Sequence, residues 1–268
     1  MSIRIETVST DTFSMDYFRF GKGDKTLVIL PGISAQSIMG LADAVADEYR
    51  VFMNDYTVYV FDRRKELPAA YPVLEMARDT AKAIRALGLE KTDLFGASQG
   101  GMIAMVIAVE QPDLVRKLAL ASTSACVDEE KYNTAIAGWV SLARSGNREK
   151  LYLTFGEDVL PQNAYEEAKA MLAEASKTVT DKELEHFIIL AEGMKGFDVT
   201  KDLNKINCPV LVAGSLDDNV LGAAAAVKIA ENLNIQKEPV LYMYNGYGHA
   251  VYDTAPDFRD RLLEWFRR

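Results

Sequence analysis

The sequence predicts an α/β fold: a mostly parallel eight-stranded sheet flanked by helices, with a helical cap inserted after the sixth strand. Three observations carry this. Short β-rich runs alternate with amphipathic stretches up to about residue 125. The runs Leu27 to Leu30 and Val58 to Phe61 are apolar throughout, as suits central strands buried on both faces. The strand pattern then lapses over residues 128–203 and returns afterwards.

Taken in order, the runs at 3–8 and 15–21 read as an antiparallel pair, and 26–32 as a buried strand that ends in Pro31-Gly32. A helical stretch at 37–49, a strand at 56–62 and a helix at 73–88 follow. The strand at 92–98 leads into an apolar helix at 102–111, and 117–123 is the next strand. Between Asp128 and Leu203 the text is helical and polar-amphipathic, with segments at 129–146, 163–177 and 181–196. Strands return at 208–215 and 239–244, each followed by a helix. The core is therefore expected to comprise 1–127 and 204–268, with 128–203 as the cap.

Composition excludes several classes. Of the 268 residues, 49% are hydrophobic and 26% charged, ordinary usage for a chain with a sizeable core. The net charge of −9, without a Lys/Arg-rich run, opposes binding to nucleic-acid phosphate or anionic lipid. Cys126 and Cys208 lie far apart without metal-ligand spacing and read as small apolar residues. No basic leader precedes an apolar stretch, and no apolar run is long enough to span a bilayer, so a cytoplasmic location is expected.

Gly96-Ala97-Ser98-Gln99-Gly100 stands between a strand and a helix, the context a Gly-x-Ser-x-Gly nucleophile elbow requires. The tight turn exposes the serine, and the glycines let the helix start directly above the strand. A serine hydroxyl needs a base, and the chain has two histidines. His249 follows the last strand and is the expected base; His186 lies within the helical segment and reads as a half-exposed helix residue. The carboxylate should come from the end of the preceding strand, where Asp217 and Asp218 are adjacent. Asp217 is preferred as the partner of His249 Nδ1, leaving Asp218 as a capping or solvated carboxylate. The backbone N–H groups of Ile33 and Gln99 are placed to form an oxyanion hole. Met102 is expected beneath the elbow. Tyr132, Trp139, Leu142, Phe155 and Met194 in the helical segment are candidates for a substrate pocket, although apolar residues at helical spacing usually form packing.

On the residues Leu30-Pro31-Gly32, Phe61 to Arg64, Phe95 to Gly101, Gly214 to Asp218 and Gly246 to His249, the chain resembles the α/β-hydrolase superfamily nearly end to end. The stretch 96–125 is most similar to capped esterases and enol-lactonase-like hydrolases. One departure is Pro31, where many members carry histidine before the glycine. The resemblance implies acyl transfer to Ser98 followed by hydrolysis of a small-molecule ester, lactone or thioester, without metal or organic cofactor. Activity should fall at acidic pH, because His249 must be neutral to act as base.

The same fold and residues would also serve an acyltransferase, a perhydrolase or a receptor that binds without turnover. A dinucleotide-binding reading of the glycine-rich turn fits poorly. Ser98 stands where that fingerprint needs glycine, and the motif comes late in the chain.

Overall fold

Apolar runs of five to nine residues become eight strands of one sheet: β1 (Ile5–Ser9), β2 (Ser14–Gly21), β3 (Lys25–Leu30), β4 (Tyr56–Arg64), β5 (Thr92–Ala97), β6 (Val115–Ala121), β7 (Val210–Ser215) and β8 (Val240–Tyr244). They are arranged β1-β2-β4-β3-β5-β6-β7-β8 in a computed structural model that describes residues 2–268. Strand β2 runs antiparallel to both β1 and β4, and every other pairing is parallel. The expected antiparallel start and parallel centre are both present. Each position of β5 and β7 is buried, as parallel strands covered on both faces demand.

The helices that cover the sheet are α1 (Ala42–Glu48), α2 (Val73–Ala86), α3 (Gln99–Glu110), α9 (Ala224–Asn232) and α11 (Phe258–Arg267), with one short turn, α10 (Val251–Thr254), before the last. Side chains of α2, α3 and α9 join one apolar cluster, and those of α1 and α11 join another on the opposite face. The stripe on α2 reflects its position: Val73, Met76, Ala77, Ala81 and Ile84 point inward at helical spacing while Glu75 and Arg78 meet water. Helix α3 lacks such a stripe because it is apolar nearly all round, and Gln99 through Ala108 are all buried.

Between β6 and β7 the chain forms α4 (Glu129–Lys131), a widened π turn (Tyr132–Ile136), α5 (Ala137–Arg144), α6 (Arg148–Val159), α7 (Gln162–Ser176) and α8 (Asp181–Glu192). Sequence chemistry marks their starts. Asp128 accepts from Lys131 N, Asn147 accepts from Lys150 N, and Thr180 forms a reciprocal capping box with Glu183. Pro161 stands just before α7 and ends α6. Among the described residues no helix is long and apolar enough to cross a membrane.

Candidate active site

The parallel strands end on one side of the sheet, and the loops there bring distant residues together. Strand β5 delivers Ser98, held at φ 50° and ψ −120° by backbone bonds on both sides. Its N–H donates to Ala121 O at 2.9 Å, while its carbonyl accepts from Gly101 N at 2.9 Å and Thr123 Oγ1 at 2.7 Å. A conformation of this kind costs about 1–3 kcal/mol and persists because its surroundings fix it. The elbow glycines are required by proximity: a Cβ on Gly100 would lie 2.0 Å from Leu30 O, and one on Gly96 would lie 2.5 Å from Gly100 O.

His249 follows the turn Gly246–Gly248 after β8 and is buried. Its Nε2 lies 2.9 Å from Ser98 Oγ, and its Nδ1 lies 2.9 Å from Asp218 Oδ2. The other oxygen of Asp218 accepts from Val220 N and Leu221 N, both at 2.9 Å. Burial raises the pKa of this carboxyl, but the facing His249 and the two N–H donors outweigh it and hold Asp218 below the usual carboxylate range. The group is thus anionic where it can orient the imidazole and balance its charge.

Asp217, the expected partner of His249, does something else. Its Oδ1 accepts from Ser215 Oγ at 2.6 Å and Gly246 N at 2.9 Å, and its Oδ2 accepts from Gly248 N at 2.9 Å. Burial pushes its pKa up, but these donors prevail and leave it lowered. Asp217 therefore ties the loop after β7 to the turn that carries His249, while Asp218 makes the contact to the ring. Strand β7 ends at Ser215, as the sequence predicts; beyond it Asp217 folds back onto Ser215 and the turn at 246–248, and Asp218 is the carboxylate left facing the ring.

Ile33 lines the cavity onto which Ser98 opens, and Gln99 directly follows Ser98. Gln99 opens α3, so its N–H has no partner within the helix, and Ile33 N enters no backbone hydrogen bond. Gly32 packs against the nucleophile: a Cβ built there would lie 3.2 Å from Ser98 Cβ. Beside both residues is Arg63, buried with 7% of its surface exposed. Its guanidinium donates to Pro31 O at 2.9 Å and to Gln99 Oε1 at 2.9 Å, while Gln99 Nε2 donates to Leu190 O at 2.8 Å. Burial lowers the pKa of Arg63. One side chain thus joins the loop bearing Ile33 to the residue after Ser98.

Ser98 and His249 open into a cavity of about 390 Å³. Its walls are almost wholly apolar, with Ile136, Trp139, Phe155, Val159, Leu172 and Met194 supplied from the segment between β6 and β7. Trp139 and Phe155 contact each other with ring centroids 4.6 Å apart, and Trp139 Nε1 donates to Asp158 Oδ2 at 2.7 Å, which fixes the indole. Met102 is buried beneath the elbow and also reaches the cavity.

Leu142, expected in the pocket, does not line it. It lies one turn beyond Trp139 on α5, about 4.5 Å along the axis, and packs half-buried against the apolar core. Tyr132 likewise belongs to the core and not to the cavity wall. His186 is half-buried and lines a separate, smaller cavity of about 210 Å³ across the loop 31–38, together with Arg63 and Gln99.

Sequence reasoning missed Asp218 as the histidine partner and gave Arg63 no role beyond its place in the motif Phe61 to Arg64. The second aspartate of the Asp217-Asp218 pair was visible. Nothing local in the sequence shows that Arg63 joins Pro31 to Gln99.

Comparison with known proteins agrees with this architecture. A family model described as alpha/beta hydrolase fold matches residues 25–158, half of the chain. A putative carbamate hydrolase RutD from Agrobacterium fabrum is 26% identical over 251 residues, covering 90% of this chain and 92% of that protein. Another protein of that name, from a Caulobacter species, is 26% identical over 223 residues, 79% of this chain and 81% of its own. Among solved structures, MGS-M2, an alpha/beta hydrolase enzyme from a Medee basin deep-sea metagenome library, superposes with a TM-score of 0.86 at 21% identity over 98% of each chain. The enol-lactonase from Burkholderia xenovorans LB400 gives 0.82 at 15% identity, over 98% of this chain and 100% of that one. By its family match, its sheet order and its strand-to-helix elbow, the chain belongs to the alpha/beta hydrolase fold family and is a hydrolase.

Proposed function

We propose that the protein hydrolyses an uncharged small-molecule ester, lactone or thioester through an acyl-enzyme on Ser98. The observation that carries this reading is the unbroken line from Asp218 to His249 to Ser98, with 2.9 Å at each step, beneath an apolar cavity. Ser98 Oγ attacks the carbonyl carbon as His249 Nε2 takes its proton. The negative charge that develops on the carbonyl oxygen is held by the N–H groups of Ile33 and Gln99, near the positive end of α3. Collapse of this intermediate breaks the bond to the leaving group, which receives the proton from His249. Water, deprotonated by the same imidazole, then attacks the acyl-enzyme and releases the acid and free Ser98.

The helical segment 128–203 acts as a cap that closes over the acyl or alcohol portion. The cavity wall offers that portion mostly apolar contacts; besides His249 the lining carries the carboxylate of Asp253, which is largely exposed and faces Arg259 at 3.7 Å, so the interior favours uncharged groups. The name borne by the curated relatives adds carbamates, whose carbonyl is attacked in the same way.

The test is intact-mass analysis after exposure to a fluorophosphonate, followed by turnover of a panel of esters, lactones, thioesters and carbamates. A single adduct is expected on the native protein, absent from Ser98→Ala and much slower to form in His249→Ala. A native protein that forms no adduct and turns over no member of the panel would replace hydrolysis with ligand binding. Product analysis with an added alcohol or peroxide separates hydrolysis from acyl transfer.

A further inference from the structure

Tyr252 lies three residues after His249 on the short turn α10, where its ring touches the apolar clusters on both faces of the sheet. That ring lines the cavity beside Ser98. Its hydroxyl sits on the oxyanion side of the site: a Cβ built on Gly32 would be 3.6 Å from Tyr252 Oη and 3.2 Å from Ser98 Cβ, so Gly32 stands between the two. The absence of a side chain at Gly32 is what leaves space there. Among the described residues, the tyrosine hydroxyls at Tyr17, Tyr56, Tyr71 and Tyr152 each donate to a carboxylate or amide oxygen. Tyr252 Oη makes no such hydrogen bond among the described residues, and it lies beside Gly32 in a residue that lines the cavity, which leaves its donor for a bound molecule.

We infer that Tyr252 is a third oxyanion donor, whose phenolic O–H hydrogen-bonds the substrate carbonyl oxygen alongside the backbone N–H groups of Ile33 and Gln99. Burial pushes the phenol well above its usual range, so the hydroxyl keeps its proton throughout the working range of a serine hydrolase. A fixed donor in an apolar, water-poor site strengthens as charge builds on the oxygen, so its contribution falls on the transition state. No proton leaves the phenol; it shares its hydrogen with the oxyanion and keeps it when the carbonyl reforms.

The inference rests on the acyl-enzyme reading, and the experiment separates the two. Native protein, Ser98→Ala and Tyr252→Phe are compared on 4-nitrophenyl acetate and on the thionoester in which sulfur replaces the carbonyl oxygen. Tyr252→Phe removes one oxygen atom from a side chain whose ring packing is retained. Its kcat on the oxoester should fall about ten- to a hundredfold with KM nearly unchanged, by analogy with the loss of one oxyanion donor. The deficit should shrink on the thionoester, because sulfur is a poor hydrogen-bond acceptor. An unchanged kcat, a loss confined to KM, or the same deficit on both substrates would overturn the role of Tyr252 while leaving the acyl-enzyme intact. Turnover that persists in Ser98→Ala would overturn the acyl-enzyme and the oxyanion donor together.

Discussion

The edge of the sheet and the helical segment opposite it build the same cavity by different means. At the sheet edge, Ser98 is fixed by its own backbone: its N–H and carbonyl are bonded to β6, α3 and Thr123, and all of β5 is buried. On the helical side, α7 buries only Tyr165 and Ser176, while side chains of α5, α6 and α8 such as Trp139, Leu151 and Phe187 join the apolar cluster of the core, and polar side chains add further links. Gln36 accepts from Tyr152 Oη at 3.1 Å and donates to Thr178 Oγ1 at 3.2 Å, and Lys182 pairs with Glu66 at the surface. Backbone bonds cross as well: Ala250 N to Val159 O at 2.9 Å braces the residue after His249 against the end of α6, and Val73 N to Gly193 O at 3.0 Å ties the start of α2 to the end of α8. The difference teaches where change is tolerated. Reacting groups are set by main-chain geometry that few substitutions can move, whereas the pocket wall is made of side chains that can be exchanged singly.

Substitution at the sheet edge should therefore abolish chemistry without disturbing the fold. His249→Ala should lower kcat by roughly 10⁴-fold or more, since members of a nucleophile–base unit fail together. Thermal unfolding checks that the variant remains folded, and loss of the fold instead of activity would mean that the turn at 246–248 depends on the imidazole.

Substitution in the wall should trade stability for selectivity. Phe155→Ala removes a ring that packs on Trp139 and lies 6.3 Å from Phe187, so a loss of about 3 kcal/mol is expected in denaturant titration. Its activity should persist and shift toward bulkier acyl or alcohol groups. Uniform loss of kcat across chain lengths would place Phe155 with the chemistry and erase the distinction.

The smallest effect belongs to the polar links. Gln36→Ala deletes two half-exposed hydrogen bonds, so stability should change by less than about 1.5 kcal/mol. Any change in turnover should appear as a severalfold shift in KM, read from steady-state kinetics with short and long esters.

The legibility of the sequence divides along the same line. The elbow is visible because its chemistry is local: five consecutive residues specify a turn, and the flanking apolar runs supply a strand and a helix. His249 is visible because the chain has two histidines and only one follows a strand. The sheet's parallel centre follows from runs apolar throughout, whose strands are buried on both faces. The aspartate pair is different: the end of β7 at Ser215 is legible, but which neighbour meets His249 depends on how the turn at 246–248 engages Asp217, a contact between segments far apart in the chain. Helix α6 also escaped clear definition. Its residues are partly buried around most of the circumference, between α7 and the cavity, so no single stripe marks it. The pairing of Arg63 with Gln99 and the place of Tyr252 depend on which loops meet across the sheet, which no local pattern records.

The account turns on which aspartate holds His249, and Asp217→Asn measured beside Asp218→Asn tests it most directly. With Asp218→Asn, kcat/KM should fall by about 10³- to 10⁴-fold, because the imidazole loses the anion that fixes its tautomer. With Asp217→Asn the fall should be about tenfold or less, since the amide oxygen can still accept from one of Gly246 and Gly248, and Asp217 makes no bond to the imidazole. Both carboxyls have lowered pKa values in the folded protein, so the stability each contributes is complete above the ordinary aspartate pKa near 4. That contribution disappears as pH falls through the lowered folded value, and the stability gap between native and variant protein should close on acidification. Nearly native activity in Asp218→Asn, with collapse in Asp217→Asn, would contradict the assignment.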